Sequence, residues 1–188
     1  MTVGVFFGGK SPEHDISIIT GMLVLHELVK LGIRSEPIYI GTDGAWCLGD
    51  ALRDRTFLRS IHSRDLYPLQ RWSLDTRHRT RQLILTRRPS FFTRREQKVI
   101  DIAFPTFHGA YGEDGCFQGL FESLGVPYVG CGVEGSAIAM NKILTKQFFR
   151  AYGAPTTESV GFSHQEWEKD ADAIKTKISD TLRFPIFV

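Results

Sequence analysis

The segment VGVFFGGKSPEHD, residues 3–15, carries the clearest structural signal in this chain of 188 residues. Its first half is a short apolar run that closes on two glycines, which is typical of a buried parallel strand entering a turn. Ser11 and Pro12 suit the N-cap and the first position of a following helix, which Gly32 ends. The buried stripe of that helix is predicted to consist of Ile16, Ile19, Leu23 and Leu28.

The alternation of strands and helices continues before and after a long insertion at about residues 50–98. IRSEPIYIG, residues 33–41, alternates as a second strand and completes a right-handed βαβ unit. VIDIAFP, residues 99–105, predicts a further buried strand, a helix is expected over about 116–124, and VPYVG predicts a strand over 126–130. The fold class is therefore α/β: residues 1–134 are predicted to form a parallel-sheet, Rossmann-like domain with a basic insertion at about 50–98.

Residues 135–188 predict the beginning of a second domain. A helix runs from Asn141, its cap, to Gly153, its stop. TTESVGF (156–162) is predicted as a strand, the next seventeen residues as an amphipathic helix, and RFPIFV (183–188) as another strand. This unit is too small to bury its own faces, and RFPIFV resembles an interrupted strand more than a natural terminus.

Composition excludes several classes of protein. A hydrophobic fraction of 42% with 23% charged residues indicates a globular chain. The best apolar segment, residues 18–32, is interrupted by His26, Glu27 and Lys30, so no membrane span is predicted. The first nine residues, MTVGVFFGG, lack a basic n-region and a long apolar h-region, so no signal peptide is predicted. The three cysteines share no metal-type spacing, which predicts small, buried, reduced thiols in a cytoplasmic protein.

A strongly basic stretch lies between residues 51 and 98. It contains twelve arginines and one lysine against four acidic residues, a net charge of +9, whereas the whole chain carries +2. Such a stretch could bind nucleic acid or another polyanion. Its basic residues alternate with apolar segments and lack a recognition motif, so we favour short strands with exposed basic faces and expect no nucleic-acid partner.

GGKSPEHD, residues 8–15, is the first candidate binding loop. It connects the first strand to the first helix, where a doubly wound sheet binds ligands, but it matches neither G-x-G-x-x-G nor a Walker loop. The Glu13 carboxylate could pair with a substrate ammonium group. An acid in a first helical turn also stabilises the helix dipole, which explains Glu13 equally well without a ligand.

HGAYGEDG, residues 108–115, is the second candidate loop. His108 directly follows a buried strand, and three glycines in this segment permit close backbone approach. Glu113 and Asp114 could order the loop, and Asp114 as N-cap of the next helix is a sufficient structural explanation for that residue. Further along, Lys142 occupies a first helical turn, an unfavourable position for a cation unless it faces phosphate or solvent.

These three motifs together resemble one family. G-G-x-S-x-E-H, H-G-x-x-G-E-D-G-x-x-Q-G and S-x-x-x-M-x-K-x-x-x-K occur in this order, and the similarity is densest over residues 3–23 and 99–161. The pattern resembles the N-terminal half of D-alanine–D-alanine ligases of the ATP-grasp superfamily. The resemblance implies a Rossmann-like (pre-ATP-grasp) domain followed by the incomplete start of an ATP-grasp domain.

The resemblance also implies a reaction and a set of site residues. ATP would phosphorylate one D-alanine, with Mg²⁺, and a second D-alanine would attack the acyl phosphate to give a dipeptide for peptidoglycan synthesis in the bacterial cytoplasm. Glu13 and His108 would be catalytic, with Ser11 joining them in substrate binding. Lys142 would bind ATP phosphates, and Glu113 and Asp114 would order their loop. A homodimer is expected.

Some family features have no counterpart before Val188. The metal ligands, the transition-state arginine and the residues that select the second substrate are all missing, so no metal ligand is predicted here and the chain alone is expected to lack ligase activity. Three alternatives remain. The parent could be a D-Ala–D-Lac or D-Ala–D-Ser ligase, the chain could be a non-catalytic binding or dimerisation module, or it could bind nucleic acid through its basic stretch.

Overall fold

The computed structural model describes residues 1–61, 69–76, 81–87 and 96–187. The chain divides into two compact units, Met1–Met140 and Asn141–Val188. The domain boundary expected from the sequence, after residue 134, lies shortly before this division and stays a prediction.

Strand β1 (Val3–Gly8) is the central element of the first unit. All six of its residues are buried, and it pairs in parallel with β2 (Ser35–Ile40) on one side and β7 (Ile102–Pro105) on the other. Helix α1 (His14–Lys30) connects β1 to β2. The predicted βαβ unit is therefore confirmed. The continuous apolar sequence of β1 suits its position between two parallel strands in a buried sheet.

Helix α1 packs on the sheet through a different face from the predicted one. Ile16, Ile19 and Leu23 are 50%, 63% and 61% exposed, so the predicted stripe is wrong for these residues, whereas Leu28 packs partly against the core. The residues of α1 that are buried instead are His14, Ser17, Ile18, Gly21 and Leu25.

Steric fit explains this choice of face. A Cβ atom on Gly21 would lie 2.7 Å from Phe7, so only a glycine allows the helix to approach β1 this closely. Ser17 lies one turn earlier and is fully buried. Small residues at these two positions set the contact, and Ile16, Ile19 and Leu23 are turned outward.

The start of α1 also differs from the prediction. The N-cap position is Glu13, not Ser11, and the helix begins at His14 rather than at Pro12. Ser11 and Pro12 instead belong to a turn, in which the Ser11 hydroxyl accepts a hydrogen bond from Glu13 N at 3.1 Å. Glu13 therefore lies before the first helical turn, not inside it.

The basic stretch supplies most of the antiparallel half of the sheet. Four strands follow β2, namely β3 (Trp46–Leu48), β4 (Gln70–Leu74), β5 (Leu83–Arg87) and β6 (Glu96–Ile100), and every neighbouring pair from β2 to β6 is antiparallel. A 3₁₀ turn (Asp50–Arg53) and helix α2 (Arg55–Arg59) lie between β3 and β4. The predicted short strands are confirmed, except that FFT, residues 91–93, lies outside the described residues.

Several basic side chains of this stretch are paired with acids. Arg71 contacts Asp43 at 2.9 Å, and Arg87 contacts Glu96 at 2.7 Å. Lys98 contacts Glu36 of β2 at 3.1 Å. These pairs offset part of the positive charge locally, and the absence of a nucleic-acid partner stays a prediction.

The predicted single strand over 99–105 is two strands separated by Asp101. The seven-stranded sheet has the order β6-β5-β4-β3-β2-β1-β7, so β6 and β7 occupy its opposite edges although one residue joins them. The sheet therefore curls until its edges meet at Asp101, which donates its N–H to Thr2 O at 3.0 Å and accepts from Thr2 N at 2.6 Å. Gln82 binds the other carboxylate oxygen at 2.6 Å and, with the Thr2 bond, lowers the pKa of Asp101.

The helices after β7 complete the first unit. Helix α3 (Cys116–Ser123) is confirmed, and helix α4 (Val133–Met140) follows it. VPYVG is not a full strand, because only Tyr128 forms a bridge, to Ala103 of β7. Core clusters lie on the two faces of the sheet, one around Phe6 and Phe121, whose ring centroids are 5.2 Å apart, and one around Phe7 and α1.

The second unit consists of helices α5 (Lys142–Ala151), α6 (His164–Lys169) and α7 (Ala171–Thr181). The predicted cap and stop of α5 are confirmed: Asn141 accepts from two backbone N–H groups, and Gly153 has φ +69°. The long predicted helix is divided at Asp170.

The strand predicted for TTESVGF does not form, and the described residues 183–187 of RFPIFV form no strand either. In the described part of this unit, residues 141–187, no segment is in strand conformation, because an isolated apolar segment has no neighbour with which to exchange backbone hydrogen bonds. None of the residues in α5, α6 and α7 is buried. This exposure agrees with the expectation that the unit cannot bury its own faces.

Candidate functional site

Two loops lie side by side at the carboxyl ends of β1 and β7. They are residues 8–13, called the first loop, and residues 107–115, called the second loop. Ser17 of α1 connects the strand ends, because its fully buried hydroxyl accepts from Gly8 N at 2.8 Å and donates to Thr106 O at 2.9 Å. The Ser17 side chain therefore connects the starting points of both loops and fixes their relative position.

The first loop is shaped by glycines and by a buried histidine. Gly8 and Gly9 both have φ +94°, and a Cβ on Gly8 would collide with Ile40 O. Beneath them, His14 Nδ1 lies 2.6 Å from Gly9 O, and its Nε2 lies 3.1 Å from the Tyr39 hydroxyl. Burial raises the pKa of Tyr39 to about 12, so its hydroxyl is neutral at physiological pH.

The second loop is ordered by its own acids. Glu113 accepts from Gly109 N at 2.8 Å, and Asp114 accepts from Tyr111 N at 2.7 Å. The N-cap position of α3 is Gly115, with φ +97°, and not Asp114 as predicted. Asp114 nevertheless accepts from the first helical N–H, that of Cys116, at 3.1 Å.

The ionisation of Asp114 follows from these contacts. Partial burial raises the pKa of Asp114, but the hydrogen bonds from Tyr111 and Cys116 outweigh it and place that pKa below its ordinary value. The carboxylate in turn raises the pKa of the Cys116 thiol, mainly by accepting its hydrogen bond. Asp114 therefore remains charged at neutral pH, and Cys116 remains a thiol.

The two loops touch at Gly109. A Cβ atom on this glycine, which has φ +75°, would lie 2.6 Å from Glu13 Oε2 and would also collide with Ser11 Oγ. His108, the preceding residue, is part-buried, and its Nε2 lies 2.9 Å from the Thr20 hydroxyl. The fold thus gathers three predicted substrate-binding residues, Ser11, Glu13 and His108, from segments far apart in the chain.

A cavity of about 420 Å³ lies between the two loops. Its polar lining includes Lys10, Ser11, His108 and Tyr111, and aromatic side chains such as Phe107 and Phe117 form part of its wall. A few polar groups on an apolar wall at the carboxyl end of a parallel sheet are typical of a small-molecule site.

Lys142, the predicted nucleotide-binding residue, belongs to the second unit. It is the first residue of α5 and is exposed to solvent. Asn141 caps this helix through Ile143 N and Leu144 N, both at 3.1 Å. The second lysine of the motif, Lys146, donates to Thr157 O at 2.9 Å.

Sequence reasoning missed the polar side of α1. His14, Ser17 and Thr20 recur every third residue and contact the first loop, both strand ends and the second loop respectively. This spacing in an otherwise apolar helix was the available signal, because polar residues at i and i+3 share a helical face.

Other groups of side chains add little to this site. Among residues 1–61, 69–76, 81–87 and 96–187, no three His, Cys, Asp or Glu side chains are placed to hold a metal ion. Cys47 is buried as predicted, whereas Cys116 and Cys131 are exposed, and all three are free thiols. No helix in the described ranges is long and apolar enough to cross a membrane.

Comparison with known proteins identifies the family. The model of the D-ala D-ala ligase N-terminus matches residues 2–131. The chain belongs to the D-alanine–D-alanine ligase family. Both loops of the site lie within the matched residues.

Individual relatives agree with this assignment. The chain is 37% identical to a D-alanine–D-alanine ligase of Chlorobium limicola, covering 100% of this chain and 51% of that protein. A D-alanine–D-alanine ligase of Geobacillus thermodenitrificans is 35% identical, with 99% of this chain and 49% of the relative covered. The chain therefore spans about half the length of these curated relatives.

Solved structures show the same fold. The VanG D-Ala:D-Ser ligase of Enterococcus faecalis superposes with a TM-score of 0.70 at 26% identity, covering 98% of this chain and 50% of that one. The D-alanine–D-alanine ligase of Coxiella burnetii gives a TM-score of 0.70 at 26% identity, with coverages of 96% and 48%. The predicted α/β fold class and family resemblance are thus confirmed.

Proposed function

We propose that this chain supplies the D-alanine-binding part of an ATP-dependent D-alanine–D-alanine ligase. The observation that carries the proposal is the meeting of Ser11, Glu13 and His108 around Gly109, beside a cavity of about 420 Å³ at the carboxyl end of the sheet. Family membership supplies the reaction, and the gathered side chains supply a site that suits a small amino acid.

Each residue has a role that its chemistry supports. Glu13 is an exposed carboxylate that can pair with the ammonium group of the first D-alanine. Ser11 and His108 line the cavity and can hydrogen-bond the substrate, and His108 lies where it can also assist catalysis. Glu113 and Asp114 order the second loop through backbone N–H groups, so they act on the substrate only indirectly.

The proposed chemistry joins two amino acids through an acyl phosphate. ATP transfers its terminal phosphoryl group to the carboxylate of one D-alanine, and the amine of the second then displaces phosphate. Lys142, at the start of α5, is proposed to contact ATP phosphates, for which a lysine is well suited. No residue of the described ranges is assigned to Mg²⁺, because no suitable ligand group is gathered there.

The dipeptide is proposed to serve peptidoglycan precursor synthesis in a bacterial cytoplasm. We propose D-alanine as the second substrate because the curated relatives named above are D-alanine–D-alanine ligases. A D-Ala:D-Ser ligase shares the fold equally well, so D-serine is the second candidate. Product analysis of the full-length parent ligase, with D-alanine and D-serine in competition, separates the two.

Binding of D-alanine to the 188-residue chain tests the proposal. We expect saturable binding of D-alanine in an NMR titration, with L-alanine binding more weakly. Replacing Glu13 by glutamine should weaken D-alanine binding by about tenfold, because a charge-assisted hydrogen bond contributes roughly 1.5–3 kcal/mol. The chain alone is expected to form no dipeptide from D-alanine and ATP.

Glu27→Gln is the matched control, since it removes the same charge from an exposed position of α1. This variant should bind D-alanine like the unmodified chain. Equal binding of the two enantiomers, or equal affinity in the Glu13→Gln and Glu27→Gln variants, would count against the proposed site.

We also propose that the chain forms a homodimer through the outward face of α1. Ile19, Leu23 and Val29 are each more than 60% exposed, and they line a largely apolar groove of about 780 Å³ beside α2. Arg53, Arg55 and Arg59 also line this groove. An exposed apolar surface of this kind on a folded unit is typical of an interaction site.

Replacing Leu23 by glutamate is expected to convert the dimer to a monomer, because the new charge would be buried against apolar side chains. Light scattering measures the change in molar mass. Val129→Glu introduces the same charge at another exposed apolar position of the first unit and should leave the dimer intact. A monomeric mass for the unmodified chain would refute this interface.

A further inference from the structure

The two ring nitrogens of His108 face different partners. Nε2 lies 2.9 Å from Thr20 Oγ1 of α1. Nδ1 lies 3.7 Å from Glu113 Oε1, which is too long for a hydrogen bond. A neutral imidazole carries one proton, so these contacts determine which nitrogen donates and which one is left as an acceptor.

The Thr20 hydroxyl has a second partner that restricts its own proton. Thr20 Oγ1 lies 3.1 Å from Ile16 O, one helical turn earlier, in the arrangement by which helical threonines donate to the backbone. A hydroxyl has only one proton. If that proton is used on Ile16 O, the hydroxyl can engage His108 only by accepting a hydrogen bond from Nε2–H.

The opposite arrangement satisfies fewer groups. If Thr20 donated to Nε2, the ring proton would be on Nδ1, and its nearest acid would be Glu113 Oε1 at 3.7 Å. That N–H would then lack this acid as a hydrogen-bond partner, and the Ile16 carbonyl would lose the hydroxyl. The first arrangement, in which Nε2–H donates to Thr20 and Thr20 donates to Ile16 O, makes two hydrogen bonds through Thr20 instead of one and is therefore favoured.

We propose that Thr20 is a positioning residue that holds His108 as the Nε2–H tautomer, with the Nδ1 lone pair available to a ligand. Thr20 is well placed for this task because it lies between Ser17 and Gly21, the small residues by which α1 packs on the sheet. Its branched side chain has few accessible rotamers. The His108 ring is thus tied to the part of the helix that packs closely on the sheet.

The consequence for binding rests on the proposed function. His108 lines the cavity, and an unprotonated Nδ1 accepts a hydrogen bond from an N–H donor such as the amine of an amino acid. With the other tautomer, an N–H would face the ammonium group of the amino acid, and the two donors would repel. Thr20 would therefore act on substrate affinity without touching the substrate.

The tautomer itself is the primary test. In the 188-residue chain with ¹⁵N-labelled histidines, long-range ¹H–¹⁵N spectra recorded where the ring is neutral distinguish a protonated from an unprotonated ring nitrogen. The His108 signal is assigned by its loss in the His108→Gln variant. We expect a protonated Nε2 in the unmodified chain and in Thr20→Ser, and mixed tautomers in Thr20→Val.

Thr176→Val is the matched control, because Thr176 makes the same bond to the carbonyl one turn earlier, that of Asp172 at 2.9 Å, in a different helix. It should leave the His108 spectrum unchanged. A protonated Nδ1 in the unmodified chain, or a Thr20→Val spectrum identical to it, would overturn the proposal.

Binding of D-alanine provides the second readout. Thr20→Val should weaken it by about tenfold, as expected for loss of an orienting partner, and Thr20→Ser should restore it. If the unmodified chain bound no D-alanine, the proposed function would fail while the tautomer measurement still decided the role of Thr20. If protonation of Nε2 depends on Thr20 but Thr20→Val binds D-alanine with unaltered affinity, the proposed role of Thr20 in substrate binding is contradicted.

Discussion

Replacing Gly109 by alanine is expected to reduce D-alanine binding by about a hundredfold, since displacing a positioning group by an ångström can have an effect of that order. The new Cβ would lie 2.6 Å from Glu13 Oε2 and would collide with Ser11 Oγ. Both side chains would have to move away from the second loop. The substitution thus separates the residues that the fold brings together, and an NMR titration with D-alanine measures the loss.

Gly125→Ala is the control that isolates this collision. Gly125 has φ +69°, close to the +75° of Gly109, but nothing lies within 4 Å of the position that a Cβ atom would take there. Alanine at either site carries a backbone cost of about 1–2 kcal/mol. Gly125→Ala should therefore lower stability without affecting D-alanine affinity, and an equal loss of affinity in both variants would contradict the loop contact.

Replacing Ser17 by alanine is expected to lower the free energy of unfolding of the first unit by about 2–4 kcal/mol, because two buried backbone groups each lose a partner worth 1–3 kcal/mol. These groups are the N–H of Gly8 and the carbonyl of Thr106. The side chain is fully buried, so water cannot replace the hydroxyl without rearrangement. Both loops of the site should loosen together.

Urea unfolding can follow this unit alone. Two of the three tryptophans, Trp46 and Trp72, lie in the first unit, so fluorescence in a Trp167→Phe background reports on it. Ser123→Ala is the control: that hydroxyl donates to Leu120 O at 2.8 Å from an exposed position, and its loss should change stability by less than about 0.5 kcal/mol. Similar unfolding midpoints for the two serine variants would show that Ser17 does not join the strand ends.

The candidate site was largely predictable because it depends on local pattern. Glycines after a buried strand and a histidine after another are visible as short motifs, and parallel strands end at the same edge of a sheet. The structure accordingly places Ser11, Glu13 and His108 together. The supporting contacts of Ser17 and Thr20 were not predictable in the same way, because they join residues about 90 positions apart.

The errors also have physical causes. Helix α1 carries apolar residues around much of its circumference, so periodicity alone could not choose between Ile18, which is buried, and Ile19, which is 63% exposed. In the second unit, TTESVGF and RFPIFV have strand composition, but none of the described residues 141–187 forms a strand with which they could pair. Composition expresses a tendency to pair, and pairing also requires a neighbour.

Local order in this chain therefore follows from the amino-acid sequence: the buried β1 strand, the positive-φ glycines of both loops and the Asn141 cap depend on residues close to one another. Long-range arrangement required the folded chain. The face of α1, the closure of the sheet at Asp101 and the Thr20–His108 contact depend on which surfaces can approach most closely. Close packing selects among orientations that hydrophobicity leaves equal in energy.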